Sequence, residues 1–255
     1  MAKKIFYGIM VLIILSACSG NRQLKQSNAA EAMKIADAYV ERGKLKKAIP
    51  FYEKIINESN SILMAEAQMK LADCYFQRHD YIDARFEYEE FIRRFSDSRD
   101  VAKAFYKIGV CYFELSLAPH YDQTETFSAI DAFTEYIDRF PFDERKKDAV
   151  EYINKCRYKL LEKRYYNGYA YYKISDFPSA LLYFEEIIAL NNLNELDKKS
   201  RYYSTMMYIV REDIINASEM AETFYTRYDN TPEARKLRNK IANLEKKLQK
   251  RKDKE

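Results

Sequence analysis

The sequence has 255 residues, 32% of them charged, and its formal net charge of +4 gives no reason to expect a nucleic-acid partner. Five glycines and five prolines are few for a chain of this length, and no run of alternating β-branched residues lies between turn pairs. These features exclude a strand-rich fold and predict an all-α protein with long helices and short turns.

The first segment has the pattern of a bacterial export signal. Two lysines precede the apolar run Ile5 to Leu15, which is short for a bilayer-spanning helix. The run leads into Leu15-Ser16-Ala17-Cys18-Ser19, which resembles the lipobox of bacterial lipoproteins. Residues 1–17 are therefore predicted to be a lipoprotein signal peptide, cleaved before a lipidated Cys18. The alternatives are an uncleaved anchor helix, or a cysteine at this place by chance.

The residues after the cysteine bear on location. Residues 18–28 are polar and are predicted to form a lipidated tether. The lipobox resemblance implies several acyl chains, which anchor a protein stably where a single chain binds only marginally. Ser19 and Gly20 stand where an aspartate favours inner-membrane retention in such lipoproteins. The resemblance thus implies anchoring in the outer membrane, with the protein on the periplasmic face.

The rest of the chain repeats a helix-turn-helix pattern. A small residue opens each second helix, and the regular repeats are 36 or 37 residues apart, close to the roughly 34 residues of a tetratricopeptide repeat. These marker residues are Ala48, Ala84, Ala129, Ala180 and Ala217. Four residues after each marker come Tyr52, Tyr88, Phe133, Phe184 and Ala221. Small residues beside large ones at fixed offsets let antiparallel helices interlock, so the pattern predicts an α-solenoid of about five tetratricopeptide-like helix pairs.

The repeats are predicted to fall into two parts. Residues 29–142 form repeats one to three, with an insertion from Ser116 to Thr126. Pro50 falls inside the second helix of repeat one and is expected to be tolerated only near the start of that helix. Residues 143–255 form repeats four and five, entered through one long helix, or two nearly coaxial helices, between Asp143 and Lys173. A capping helix is expected to start at Thr231-Pro232-Glu233, followed by a charged tail from Lys246 that frays.

Three cysteines remain in the mature chain. Cys74 and Cys111 occupy the same place in adjacent repeats, and Cys156 follows in the long helix. They are expected to be small buried hydrophobic residues. The alternative, a disulfide between Cys74 and Cys111 in an oxidising periplasm, would require equivalent residues on stacked helices to lie unusually close.

The sequence offers little catalytic chemistry. It has no phosphate-binding glycine loop, and its two histidines, His79 and His120, are not spaced as a helical metal-binding pair. No serine or cysteine has an obvious partner base. We therefore expect no enzymatic activity, no cofactor and no metal.

The first helices of the repeats are expected to line a concave wall that binds peptides. Positions that return to one helix face every seven residues give a ladder of methionine, aromatic and acidic groups. Adaptable methionine-rich surfaces suit varied partners. The predicted groove consists of Met33, Asp37, Val40, Met69, Asp73, Phe76, Tyr106, Val110 and Phe113. The alternative is that these side chains pack against each other or against a neighbouring turn.

The lipobox, five repeats, the insertion in the third and the long helix entering the fourth together resemble the BamD family, the outer-membrane lipoproteins of the β-barrel assembly machinery. The segments Tyr81 to Ser98 and Lys155 to Ala180 carry the likeness most clearly. The resemblance implies a non-catalytic scaffold that helps assemble and insert outer-membrane barrels. It also implies two partners: the periplasmic domains of a BamA-like barrel-forming subunit, bound by the C-terminal half, and unfolded outer-membrane proteins, bound by the N-terminal groove.

Two other functions remain open from the sequence. One is a pilotin-like lipoprotein that uses the same repeats to deliver a secretin or a pilus subunit. The other is an enzyme, or a regulator of an enzyme, that acts on the cell wall.

Overall fold

The structure, a computed structural model, describes residues 24–25, 27–58 and 62–254. The signal peptide and Cys18 lie outside these residues. The described chain contains no strand and forms the helices α1 (Ala29–Glu41), α2 (Leu45–Asn57), α3 (Met64–Gln77), α4 (Tyr81–Arg94), α5 (Val101–Leu115), α6 (Thr124–Arg139), α7 (Lys146–Lys173), α8 (Phe177–Ala189), α9 (Glu195–Val210), α10 (Ile214–Tyr228) and α11 (Pro232–Lys252). The all-α fold of helix pairs is confirmed.

The helices belong to two compact units. The N-terminal unit contains the described residues up to 116 together with 124–156, and the C-terminal unit contains 117–123 together with 157–254. In the first unit α1 packs on α2, α3 on α4 and α5 on α6, and each pair also packs on the next. The change of unit falls after Cys156, inside α7, whereas the predicted division lies at residue 143.

The marker alanines lie at the helix crossings. All five are completely buried, and so are the aromatic residues four positions later in the first four repeats. Two repeats have glycine on the facing helix. A Cβ atom on Gly109 would lie 2.7 Å from the ring of Phe133, and one on Gly168 would lie 2.9 Å from the ring of Phe184. The predicted small-against-large interlock is confirmed.

The turns inside four of the repeats share one backbone conformation. The residue five positions before the marker has a positive φ in each, namely Gly43 (66°), His79 (62°), Ser175 (63°) and Glu212 (59°). The next N–H donates to the carbonyl of a tyrosine five residues earlier, as Lys44 does to Tyr39 at 2.8 Å. This left-handed helix ending closes each pair tightly, and only the first of the four turns uses glycine.

Two local expectations were wrong. Pro50 is the sixth residue of α2 and so lies inside the helix, beyond the four N–H groups that lack partners. The loss of one backbone hydrogen bond is tolerated because the flanking Ile49 and Phe51 are buried in the core. The charged tail does not fray at Lys246, since α11 continues to Lys252, where Lys247 and Arg251 both pair with Glu212.

The other predicted elements are present. Residues 146–173 form one continuous helix of 28 residues. The helix α11 packs on α9 and α10 and so covers the last repeat, as a capping helix should. The inserted segment contacts α7, where Lys163 Nζ donates to the carbonyl of Tyr121 at 2.6 Å.

The three cysteines of the repeats are buried, as expected for small hydrophobic residues. Cys74 and Cys111 are free thiols that lie in two different core clusters. Burial raises the pKa of Cys74 to about 11 and that of Cys111 to about 12. None of the helices described has both the length and the apolar composition needed to cross a membrane.

Candidate peptide-binding groove

The nine residues of the predicted groove lie on α1, α3 and α5, the first helices of the three N-terminal repeats. Met33, Met69 and Val110 are only 5 or 6% exposed. Met33 shares a core cluster with residues of α3, and Met69 shares one with residues of α5. Because the first helix of the next repeat covers this row, the three side chains pack between repeats and offer little surface.

Four other members of the row are half-buried and keep exposed surface: Val40, Phe76, Tyr106 and Phe113. Aromatic neighbours contact Phe76, Tyr106 and Phe113. The ring centroid of Phe113 lies 4.8 Å from that of Tyr152 on α7, and Tyr106 lies 6.4 Å from the same ring. These side chains form a partly open apolar strip, and from here we call these four residues the groove.

Asp37 links the first two repeats. The hydroxyl of Tyr52 on α2 donates to Asp37 Oδ1 at 2.7 Å, and Lys70 Nζ on α3 donates to both carboxylate oxygens at 2.9 Å. One carboxylate therefore joins the two helices of its own repeat and the first helix of the next.

Asp73 repeats this arrangement one repeat later. The hydroxyl of Tyr88 donates to Asp73 Oδ1 at 2.6 Å, and Lys103 Nζ donates to Oδ2 at 2.7 Å. Hydrogen bonds that involve an ionised group are about twice as strong as neutral ones. Both aspartates thus have structural partners along the edge of the groove.

The tyrosines remain donors at any physiological pH. Burial, reinforced by the neighbouring carboxylates, raises the pKa of both Tyr52 and Tyr88 well above the ordinary value. Burial also disfavours the charged form of Lys70, but hydrogen bonds to Glu66 and Asp37 outweigh it and the pKa of Lys70 rises. Each group therefore keeps the protonation state that its hydrogen bonds require.

Lys107 brings a positive charge to the groove. Its Nζ lies 3.8 Å from the ring centroid of Phe76, within the range of a cation–π contact. Burial lowers the pKa of Lys107, while the charge of Asp73 acts in the opposite direction. Lys107 is half-buried and makes no ion pair with the residues that the structure describes.

The partners of the two aspartates were not predicted from the sequence. A signal was present: the residue four positions after the marker is tyrosine where the first helix carries Asp37 or Asp73, and phenylalanine in the next two repeats. The hydroxyl is present only where a carboxylate accepts it. Lys70, Lys103 and Tyr152 gave no comparable signal, because their roles depend on contacts between repeats.

The chemistry of the groove is that of binding. It combines aromatic and aliphatic surface with fixed charges, and it can hold an extended segment by burying apolar side chains. Among residues 24–25, 27–58 and 62–254, no three histidine, cysteine, aspartate or glutamate residues are grouped so that they could hold a metal ion.

These features define a class of protein. Paired helices, small residues at the crossings and stacked first helices are those of a tetratricopeptide-like repeat protein. The profile of the YfiO family, described as an outer membrane lipoprotein, matches residues 25–168, more than half of the chain. The chain belongs to this family of outer membrane lipoproteins.

A curated relative agrees with the family match. The outer membrane protein assembly factor BamD of Rickettsia prowazekii (strain Madrid E) is 27% identical over 185 residues, which cover 70% of this chain and 73% of that protein. The resemblance stated from the sequence is thereby confirmed.

Solved structures resemble the chain only loosely. The MamA protein has a TM-score of 0.36 at 19% identity, covering 87% of this chain and 94% of that one. The pilF protein of Pseudomonas aeruginosa has a TM-score of 0.41 at 14% identity, covering 92% and 95%. Similarities this low do not support the pilotin-like alternative.

Proposed function

We propose that this protein is a non-catalytic scaffold that helps assemble and insert β-barrel proteins into the outer membrane. Membership of an outer membrane lipoprotein family carries the proposal, supported by similarity to a protein named as an assembly factor. The partly open apolar strip on the first helices gives the scaffold a surface on which to hold another chain.

The proposed substrate of the groove is an unfolded segment of an outer-membrane protein. Barrel strands alternate apolar and polar side chains, so an extended strand presents apolar groups on one edge at regular spacing. Phe76, Tyr106 and Phe113 offer aromatic surface on two successive first helices. Each anchor buried by a ligand contributes about 1–3 kcal/mol before entropy losses, which suits weak and reversible holding.

The proposed partner of the scaffold is a BamA-like barrel-forming subunit, contacted through its periplasmic domains. The proposed anchor is a lipid on Cys18, which would hold the protein on the periplasmic face of the outer membrane. The lipobox in the sequence is the basis for this anchor.

The test is complementation. In cells depleted of the native protein, the full chain should restore folded barrel proteins, scored by their heat-dependent gel mobility. The double variant Phe76→Ser/Phe113→Ser should restore far less. Phe142→Ser is the matched control, because Phe142 is completely exposed in a turn outside the groove.

The protein level and thermal melting of each variant separate loss of binding from loss of folding. A photo-crosslinking amino acid at position 40 should capture barrel segments in the same cells. Full restoration by a folded double variant, or unchanged barrel levels on depletion of the protein, would contradict the proposal.

A further inference from the structure

We propose that a cationic cavity in the C-terminal unit binds an acidic peptide segment of a partner protein. The cavity of about 310 Å³ lies between α9 and the start of α11. Its side chains are chiefly basic and aromatic, with one acid: Lys198, Lys199, Tyr202, Tyr203, Glu233 and Lys236. The site lies in a different unit from the groove, and the inference does not depend on the function of the groove.

Local sequence signals set where α9 and α11, the two helices that line the cavity, begin. The four residues on α9 are spaced so that they occupy one face over slightly more than one turn. Asn194 caps α9 by accepting hydrogen bonds from two backbone N–H groups, and Thr231 caps α11 by accepting one from Ala234 at 3.2 Å. Both helices therefore begin at defined positions, and Lys236 stands one turn into α11.

The cavity carries an excess of positive charge. Lys198 and Lys199 share one carboxylate, that of Glu195, at 2.8 and 3.7 Å. Lys236 forms no ion pair with any described residue, and its Nζ lies 5.8 Å from the ring centroid of Tyr202. Three ammonium groups thus face two carboxylates, those of Glu195 and Glu233. The start of α11 adds a partial positive charge from its helix dipole.

Tyr202 and Tyr203 form the aromatic side of the cavity, and ring contacts hold them in place. Tyr203 packs edge-on against Tyr202, with ring centroids 5.2 Å apart, and tilts against Tyr169 and Tyr172 at 5.1 and 4.8 Å. Tyrosines held in this way present a fixed surface to an apolar side chain that enters beside a carboxylate. The ligand chemistry is therefore a glutamate or aspartate next to an aromatic or aliphatic residue.

The shape of the site favours a peptide over a membrane surface. A recess of this volume accepts one or two side chains, whereas a layer of lipid headgroups contacts charges that protrude. Lys199 and Lys236 are exposed, but Lys198 is only 19% exposed on its side chain, so a ligand must enter the recess to contact all three lysines.

Fluorescence anisotropy with the full-length protein tests the site directly. The probe is a labelled peptide, blocked at both ends, that contains Glu-Phe-Glu within a Gly/Ser sequence, and its control contains Gln-Phe-Gln. We expect saturable binding of the acidic peptide that weakens with salt. Lys236→Ala should weaken it about fivefold, and Lys236→Arg should largely retain it.

Lys250→Ala is the matched control, since it removes the same charge from an exposed position on the same helix. It should change the affinity less than about twofold. Glu233→Gln should tighten binding about twofold to threefold, because it removes a repelling charge without disturbing the lysines. This gain of affinity keeps the test decisive if Lys236→Ala folds poorly.

Three results would overturn the inference. They are equal binding of the Glu and Gln peptides, an equal loss of affinity for Lys250→Ala and Lys236→Ala, and Lys236-dependent capture of phosphatidylglycerol vesicles with no binding of the acidic peptide. Failure of this site would leave the complementation result for the groove variants unaffected, so the two proposals fail separately.

Discussion

The first two repeats and the next two solve the same packing problem with different chemistry. In the first two, Asp37 and Asp73 accept hydrogen bonds from the buried hydroxyls of Tyr52 and Tyr88. At the same register the third repeat has Val110 facing a phenylalanine, and the fourth has Tyr169 and again a phenylalanine. At this position the hydroxyl is present only in the two repeats that place a carboxylate beside it, which fits the cost of burying an unpaired hydroxyl. We call the contact at this register a junction: it is polar in repeats one and two and apolar in repeats three and four, within one repeat architecture.

Phe133→Ala should break the apolar junction and have the largest effect. The ring is completely buried and contacts both Gly109 and Tyr152. Its removal leaves a cavity, so the free energy of unfolding should fall by about 3–5 kcal/mol. Urea unfolding followed by circular dichroism measures this. Phe142→Ala is the control, and a similar loss in both variants would mean that the crossing has no special importance.

Tyr88→Phe should break the polar junction and destabilise the protein by about 1.5–3 kcal/mol, since it removes a hydrogen bond to a charged group. Adding Asp73→Val, which copies the pairing of Val110 with phenylalanine, should recover part of that loss. Comparing the double variant with the two single variants in urea unfolding gives the coupling. If the two changes add within about 0.5 kcal/mol, the pairing is not a unit.

Ala84→Leu should overpack a helix crossing at the marker position, which is alanine in repeats of both kinds. The free energy of unfolding should fall by about 1–3 kcal/mol. Ala84 is completely buried between α3 and α4. Thermal melting of the variant should be compared with Ile82→Leu, which changes an exposed side chain on the same helix. An unchanged melting temperature for Ala84→Leu would contradict the register of the repeats.

The smallest expected effect concerns pH and should be absent near neutrality. Folding raises the pKa of the Cys74 and Cys111 thiols from 9.0 to about 11 and about 12, so the folded state holds these protons more tightly. The stability that they contribute is fully present below pH about 9 and is lost as the pH rises through the folded-state values.

Urea unfolding of the wild type and of Cys74→Ala/Cys111→Ala across this alkaline range isolates the thiols. The double variant should lose less stability than the wild type as the pH rises. Equal losses in the two proteins would show that burial of the thiols contributes nothing to the pH dependence.

Much of the fold could be predicted from the sequence because its determinants are local. The marker alanines, the long helix through residues 146–173 and the Thr231 cap each rest on spacing or on a short motif. The groove was harder, since whether Met33 faces solvent or the next repeat depends on how closely α3 approaches. Periodicity gives the face of a helix but not what covers that face. For the same reason the role of Lys70 was not predicted, because its partner Asp37 lies 33 residues away in the sequence.

The turns between paired helices also indicate how the protein could be made more stable. A left-handed backbone is unfavourable by about 1–2 kcal/mol for residues other than glycine, yet His79, Ser175 and Glu212 adopt it. His79 forms a hydrogen bond with the hydroxyl of Tyr81, and Glu212 pairs with Lys247 and Arg251 near the end of α11. Both side chains therefore make contacts that a glycine would lose. The Ser175 side chain makes no such contact with the described residues. Ser175→Gly is therefore the first substitution to try for stabilising the protein.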